Sequence, residues 1–248
     1  MIRRLAELLA RGRQFRRRVR VAGRLAPIWV SPDAQLKYLK PGERAFDRDL
    51  LELAEQRLGP DDVVWDVGAN IGSFSVAAAT VAVSGEVIAI EADIWLAQLL
   101  RRTAAEPFFE GRIKVVPCAV AEGPGVARFV IAARGRASNA LEASGGRSQM
   151  GGVREVVLVP TLSLDTLLET LPAPSFVKID VEGAELAVLQ GAARLLREVR
   201  PSIYIEVDQR FAVEVMALFA AANYIALDPR SGARLERCLE NTLFEPLA

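Results

Sequence analysis

Val63-Val64-Trp65-Asp66-Val67-Gly68-Ala69-Asn70-Ile71-Gly72-Ser73-Phe74 is the stretch from which the rest of this chain can be read. Val63 to Val67 is an apolar, partly β-branched run, the pattern of a strand buried on both faces. Gly68 to Gly72 break the run, and Ser73 to Val81 resume as a small, apolar helix. Strand, glycine turn and helix N-terminus in that order form a pocket that receives anionic or polar ligand groups. Glycine lets the backbone come close, and the first helical N–H groups carry partial positive charge. A dinucleotide fingerprint would need glycine at positions 70 and 73 after Gly68, where this chain has Asn70 and Ser73. A tight turn that binds nothing is the plainer alternative.

Working outward, Glu86 to Ile90 reads as a second strand ending at Glu91-Ala92-Asp93, followed by a helix from Ile94 to about Ala105. Ile113 to Val116 is a third strand, closing on Cys118-Ala119-Val120. Phe176 to Ile179 is a fourth, closing on Asp180-Val181-Glu182-Gly183, with a helix over Ala184 to Glu198. Ser202 to Val207 is a fifth, followed by a helix over Ala212 to Ala222. Tyr224 to Leu227 and Thr242 to Phe244 have no helix between them and should pair antiparallel. The expected class is α/β: a doubly wound, mostly parallel, Rossmann-like sheet with an antiparallel C-terminal strand pair, its ligands lying beyond the strands' C-terminal ends. Upstream, Asp47 to Leu58 is a helix stopped by Gly59-Pro60. Residues 122–160 interrupt the alternation. Val126 to Ala132 and Glu155 to Val159 read as strands of a hairpin-like insertion, with a loop from Arg134 to Gly152 over the pocket, and Thr161 to Leu171 reads as helical.

Composition narrows the chemistry. The 248 residues contain no histidine, which removes histidine triads, histidine metal clusters and a histidine base. Cys118 and Cys238 lack disulfide-framework or metal-site spacing and suggest a reducing, cytoplasmic setting. No apolar run reaches the ~18 residues a membrane span needs. Residues 1–20 hold eight arginines against one glutamate, with Ile2, Leu5, Leu8 and Leu9 at helical spacing. That predicts a basic helix, packed on its own acidic domain or resting peripherally on an anionic membrane surface. A mitochondrial presequence is a third possibility. The expected division is therefore 1–44, a basic helix and cover segment with Pro27 to Pro41 as linker, and 45–248, the α/β domain.

Carboxylates fall where this topology uses them. Asp66 ends the first strand, and Glu91 ends the second 25 positions later, where a carboxylate can accept both hydroxyls of a ribose. Backbone groups at Cys118-Ala119 would border an adenine. Strand alternation puts Asp180 and Glu182 on one side, beside the first strand. Two adjacent acids repel, so one pKa rises or a cation sits between them; Lys178 is positioned to neutralise a neighbour or to lie on the opposite layer. Glu182 and Glu185 would also favour the next helix's positive end without any catalytic role. Glu206, ending the fifth strand, adds a third acid, and Asp180, Glu182 and Glu206 together would suit a divalent cation such as Mg²⁺ or Ca²⁺.

The blocks VVWDVGANIGSFSVAAA, VPTLSLDTLL and FVKIDVEGAELAVLQGA, in this order, resemble the FkbM family of S-adenosylmethionine (SAM) dependent methyltransferases over roughly residues 45–245. The resemblance implies SAM as cofactor and O-methylation of a hydroxyl on a sugar, glycolipid or natural product. By the family pattern, Asp66, Gly68, Ala69, Asn70 and Gly72 surround the methionine part, Glu91 with Ala92 holds the ribose, and Asp180 with Glu182 lines the reaction centre. Asp180 is the first candidate base and Glu182 the second. Phe46-Asp47 is the nearest match to an aromatic–Glu pair common before the first helix. Trp29, Tyr38 and the 134–152 loop are expected to shape the acceptor pocket. Two other readings stand beside this one: an NAD-dependent dehydrogenase, and a non-catalytic, membrane-associated binding module. A nucleic-acid substrate is not favoured, because positive charge is confined to one end and no Asn/Asp-Pro-Pro-aromatic motif occurs. The acceptor's identity and the oligomeric state are not encoded in any spacing.

Overall fold

The chain enters the fold as a hairpin: strand β1 (Phe15–Val21) pairs antiparallel with β2 (Arg24–Val30). It turns at Ala22 and Gly23, both at positive φ (45° and 74°), the backbone a two-residue hairpin requires. This corrects the expected helix over residues 15–20 and the reading of Pro27 onward as linker. The period is two: Val19 and Val21 are buried while Arg18 and Arg20 face outward. Here the arginines serve the fold. Arg17 donates to the carbonyls of Tyr38 (2.8 Å), Lys40 (3.0 Å) and Gly42 (3.2 Å), and Arg16 pairs with Glu106 at 2.8 Å. The computed structural model describes residues 12–133, 135–144 and 151–247, so Ile2, Leu5, Leu8 and Leu9 lie outside the described residues.

After two 3₁₀ turns, Leu36–Leu39 and Gly42–Ala45, helix α1 (Arg48–Arg57) starts at Asp47, whose carboxylate accepts the Asp49 N–H. The central units follow as read: β3 (Val63–Val67), α2 (Ser73–Val81), β4 (Glu86–Ile90), α3 (Ile94–Ala104) and β5 (Ile113–Val116). The insertion is a second sheet of β6 (Ala119–Val120), β7 (Gly125–Ala132), β8 (Ala140–Leu141) and β9 (Val153–Leu162), ordered β6-β9-β7-β8.

Two helices are shorter than expected. Where a helix over Thr161 to Leu171 was expected, β9 runs through Leu162 and Ser163 caps only α4 (Leu164–Leu167), because Thr161 and Leu162 pair with Ala119 and Val120. After β10 (Phe176–Ile179), α5 (Glu185–Gln190) stops at Gly191, and a π turn over Leu195–Val199 replaces the rest of the expected helix. The chain ends with β11 (Ser202–Glu206), α6 (Ala212–Ala221), β12 (Tyr224–Leu227) and β13 (Asn241–Pro246).

The main sheet has the order β12-β13-β11-β10-β3-β4-β5, parallel except for β13, which runs antiparallel to both neighbours. Both faces are covered. Trp65, Val67, Ile88, Ile90, Val177 and Ile179 pack on one side; Val64, Val87, Ala89 and Phe176 join the other with Val19, Ile28 and Val30 of the hairpin. The hairpin therefore shares one core with the sheet. Strand order reverses at β3: the chain runs outward through β4 and β5, then returns to place β10 on the other side. That switch point opens a crevice beyond the C-terminal ends of β3 and β10.

Candidate active site

Backbone contacts close the glycine turn on its neighbours. Gly68 and Ala69 N–H groups both donate to the Ile90 carbonyl at 3.0 Å, and Asp180 N–H donates to the Val67 carbonyl at 3.0 Å. The ends of β3, β4 and β10 are thereby tied together. Gly68 sits at φ +75°, and a Cβ there would lie 1.9 Å from the Asp180 carbonyl oxygen. Gly68→Ala is expected to lose about 1–3 kcal/mol through the backbone conformation alone, and more through the collision. Thermal unfolding checks this; an unchanged melting temperature would contradict the packing described.

Two cavities meet at this turn, with Gly68, Asn70, Ala137, Asp180 and Glu182 common to both. The first cavity continues along Glu91, Ala92, Cys118 and Ala119. Burial pushes the Cys118 thiol up to about 11, so it is an un-ionised wall group. Glu91 is only 7% exposed, yet each oxygen is held: Oε2 accepts the Asn70 N–H at 2.7 Å and Oε1 the Asp93 N–H at 2.8 Å. Each oxygen retains lone-pair capacity for a further donor. Burial raises its pKa to about 7, against the opposing pull of those two N–H groups.

A lid crosses the first cavity. The Asp93 carboxylate caps α3 through Trp95 N–H (2.8 Å) and also takes Arg136 Nη1 (2.5 Å) and Asn139 Nδ2 (2.8 Å) from the insertion. Asp33, in the cover segment, takes Arg136 Nε at 3.4 Å and Arg154 Nη1 at 2.9 Å. Arg136, Asn139, Phe129 and Leu141 therefore line the cavity, a role that a loop composition does not reveal. Of the expected 134–152 loop, residues 134 and 145–150 lie outside the described residues.

Asp66 lines neither cavity. It is fully buried and accepts the Ser75 hydroxyl at 2.6 Å; its Oδ1 has no hydrogen-bond partner among the described residues, and Lys178 Nζ lies 3.3 Å away. Its place is under the turn, beside Gly68 and Lys178. Gly72 also lines neither cavity; at φ +87° it starts α2 and packs against Leu100. Trp29 is likewise away from both, held by Glu106 and stacked by Arg102 at 3.3 Å.

Lys178 is the cation that the crowded acids require. Its Nζ lies 3.3 Å from both Asp66 and Asp180 and donates to the Gly68 carbonyl at 3.2 Å. Burial pulls its pKa down, but the two carboxylates more than reverse this, leaving it raised and charged. Asp180, with its side chain 30% exposed, faces the shared wall. Glu182 reaches both cavities by another route than alternation: its φ of +52° belongs to a turn. Asp180, Glu182 and Glu206 line the second cavity with Asp47, but among the described residues no group of three or more such side chains converges to hold a metal. The second cavity also contains Lys37 and Tyr38, on the turn that Arg17 holds.

Residues 66–226 match the methyltransferase FkbM domain. The chain belongs to the FkbM methyltransferase family. It is 33% identical over 164 residues to the hexuronic acid methyltransferase AglP of Haloferax volcanii, a match covering 64% of this chain and 59% of that protein. The chain thus spans less than two thirds of the length of this relative. Its fold is similar to that of methyltransferase FkbM from Methylobacillus flagellatus KT, with 22% identity, a TM-score of 0.51, and coverage of 76% of this chain and 44% of that one. The FkbM assignment and this likeness identify the α/β architecture as the Rossmann-like class I methyltransferase fold, and the family implies SAM as methyl donor. Among the described residues, no helix is long and apolar enough to cross a membrane.

Proposed function

We propose that this FkbM protein is an O-methyltransferase that uses SAM to methylate a hydroxyl of a sugar, with a uronic acid or a glycolipid sugar within the acceptor class. The carrying observation is the wall common to the two cavities, where Asp180 stands between the space along Glu91, Cys118 and Ala119 and a second, polar one. The residues fit the cofactor: the missing side chain of Gly68 lets the turn close against the Asp180 backbone, bringing Asp180 to the cavity rim, and the Glu91 carboxylate retains acceptor capacity at the cavity wall. Glu91 and Ala92 would hold the ribose, Cys118 and Ala119 the adenine, and Gly68, Ala69 and Asn70 the methionine part. Bound there, SAM supplies a methyl group on a good leaving group.

The chain's own contribution is alignment and proton removal. Holding the acceptor oxygen in line within a shielded cavity supplies much of the rate. Asp180, oriented by Lys178, takes the hydroxyl proton as the new bond forms, with Glu182 beside it. The AglP relative, whose name specifies hexuronic acid, supports a sugar acceptor. Incubation with SAM and a panel of methyl glycosides, neutral and uronic, tests the reading by mass spectrometry; a mass gain of one CH₂ unit on a glycoside is expected, and none on any glycoside contradicts it.

Glu91 gives this reading a pH signature. With its pKa near 7, lowering the pH protonates the carboxylate and removes an acceptor for the ribose hydroxyls. Affinity for S-adenosylhomocysteine (SAH) should fall below that pH, approaching about tenfold per unit. Glu91→Gln should bind weakly at every pH and lose the dependence. A wild-type affinity that is flat from pH 5 to 8, measured by calorimetry, would count against Glu91 as the ribose acceptor.

A further inference from the structure

We infer that Lys37 is the receptor for a carboxylate group that the ligand carries into the second cavity. The inference deepens the methyltransferase reading and rests on it. Two lysines line this cavity, and Lys178 is already committed to Asp66, Asp180 and the Gly68 carbonyl. Lys37 is not. Among the described residues its ammonium has a ring contact, 5.6 Å from the Tyr38 ring centre, and no hydrogen bond or ion pair. It is half-buried on the Leu36–Leu39 turn, whose carbonyls at Tyr38 and Lys40 are fixed by Arg17. Burial lowers its pKa, while Asp47 and Asp180 act in the opposite direction.

Asp47 and Asp180 also line this cavity and disfavour an anion beside them. An incoming carboxylate is therefore drawn to Lys37, the lysine of this cavity that is not already paired with carboxylates. A charge-assisted hydrogen bond in a partly desolvated site is worth about 1.5–3 kcal/mol, roughly 10–100-fold in affinity. Two sources present the same chemistry: the amino-acid carboxylate of the cofactor and the carboxylate of a uronic acid acceptor.

Calorimetry on wild type, Lys37→Gln and Lys37→Arg separates them. SAH and 5′-deoxy-5′-methylthioadenosine, which lacks the carboxylate, are titrated into each protein; methyl glucuronoside and methyl glucoside are titrated into each protein saturated with SAH. If the cofactor is the source, Lys37→Gln loses about 10–100-fold in SAH affinity, methylthioadenosine is unaffected, and the arginine variant retains binding. If the acceptor is the source, SAH and methyl glucoside are unaffected while methyl glucuronoside binding drops selectively. Wild-type behaviour of Lys37→Gln in every titration overturns the proposal. A wild-type protein that binds no SAH overturns the methyltransferase reading itself, and the proposal with it.

Discussion

Lys178→Met is expected to cost about 3–5 kcal/mol of folding stability, the largest effect of any single side chain near the site. The reason lies in the register: Lys178 on β10 is the direct partner of Asp66 on β3. Asp66 is fully buried, and its Oδ1, without a hydrogen-bond partner among the described residues, has Lys178 Nζ 3.3 Å away as its counter-charge. Removing the lysine leaves a carboxylate buried without its counter-charge, and a domain with a typical margin of about 5–15 kcal/mol loses a large share of it. Removing both charges is a different matter. Asp66→Asn combined with Lys178→Met eliminates the orphan, keeps an acceptor for the Ser75 hydroxyl, and should recover most of the loss. Urea unfolding of the two single variants and the double variant checks this. A double variant as unstable as Lys178→Met would show that the pair is not what the lysine supports.

Asp180→Asn should lower kcat by about 10²–10⁴-fold while SAH binding is retained. The substitution is nearly isosteric at a side chain 30% exposed to the cavity, so the turn that its backbone closes through Val67 remains. What disappears is the proton acceptor at the junction of the two cavities. Glu182→Gln should have a smaller effect, since Glu182 shares the wall but sits on the turn beyond the strand. Rate and affinity must be measured separately: full turnover in Asp180→Asn would remove Asp180 from the base role, and lost SAH affinity would reassign it to binding.

The sheet was legible because strands buried on both faces announce themselves as short apolar runs. Val63–Val67, Glu86–Ile90, Ile113–Val116 and Phe176–Ile179 coincide with the runs. Their alternation with helices placed the switch point, and with it Gly68, Glu91 and Asp180 on one rim. The hairpin was not legible in the same way. Arg16, Arg17, Arg18 and Arg20 mask the period-two signal of Val19 and Val21, so the helical spacing read from Ile2, Leu5, Leu8 and Leu9 was carried on into them. Asp66 shows a different limit. Its position at a strand end does not tell what it pairs with; the pairing of β3 with β10 reveals that it faces Lys178 inside the fold. The lid residues Arg136 and Asn139 depend on Asp93, more than forty positions away, a contact that no local pattern carries.

The proposed reaction requires the first cavity to be a nucleoside site opening onto Asp180. A crystal structure with SAH bound tests it most directly. The ribose hydroxyls should meet Glu91, the adenine should lie along Cys118 and Ala119, and the sulfur should face the Asp180 side of the common wall. SAH found in the groove lined by Asp49, Tyr204 and Arg230, or in the first cavity with its sulfur turned toward the lid, would contradict it.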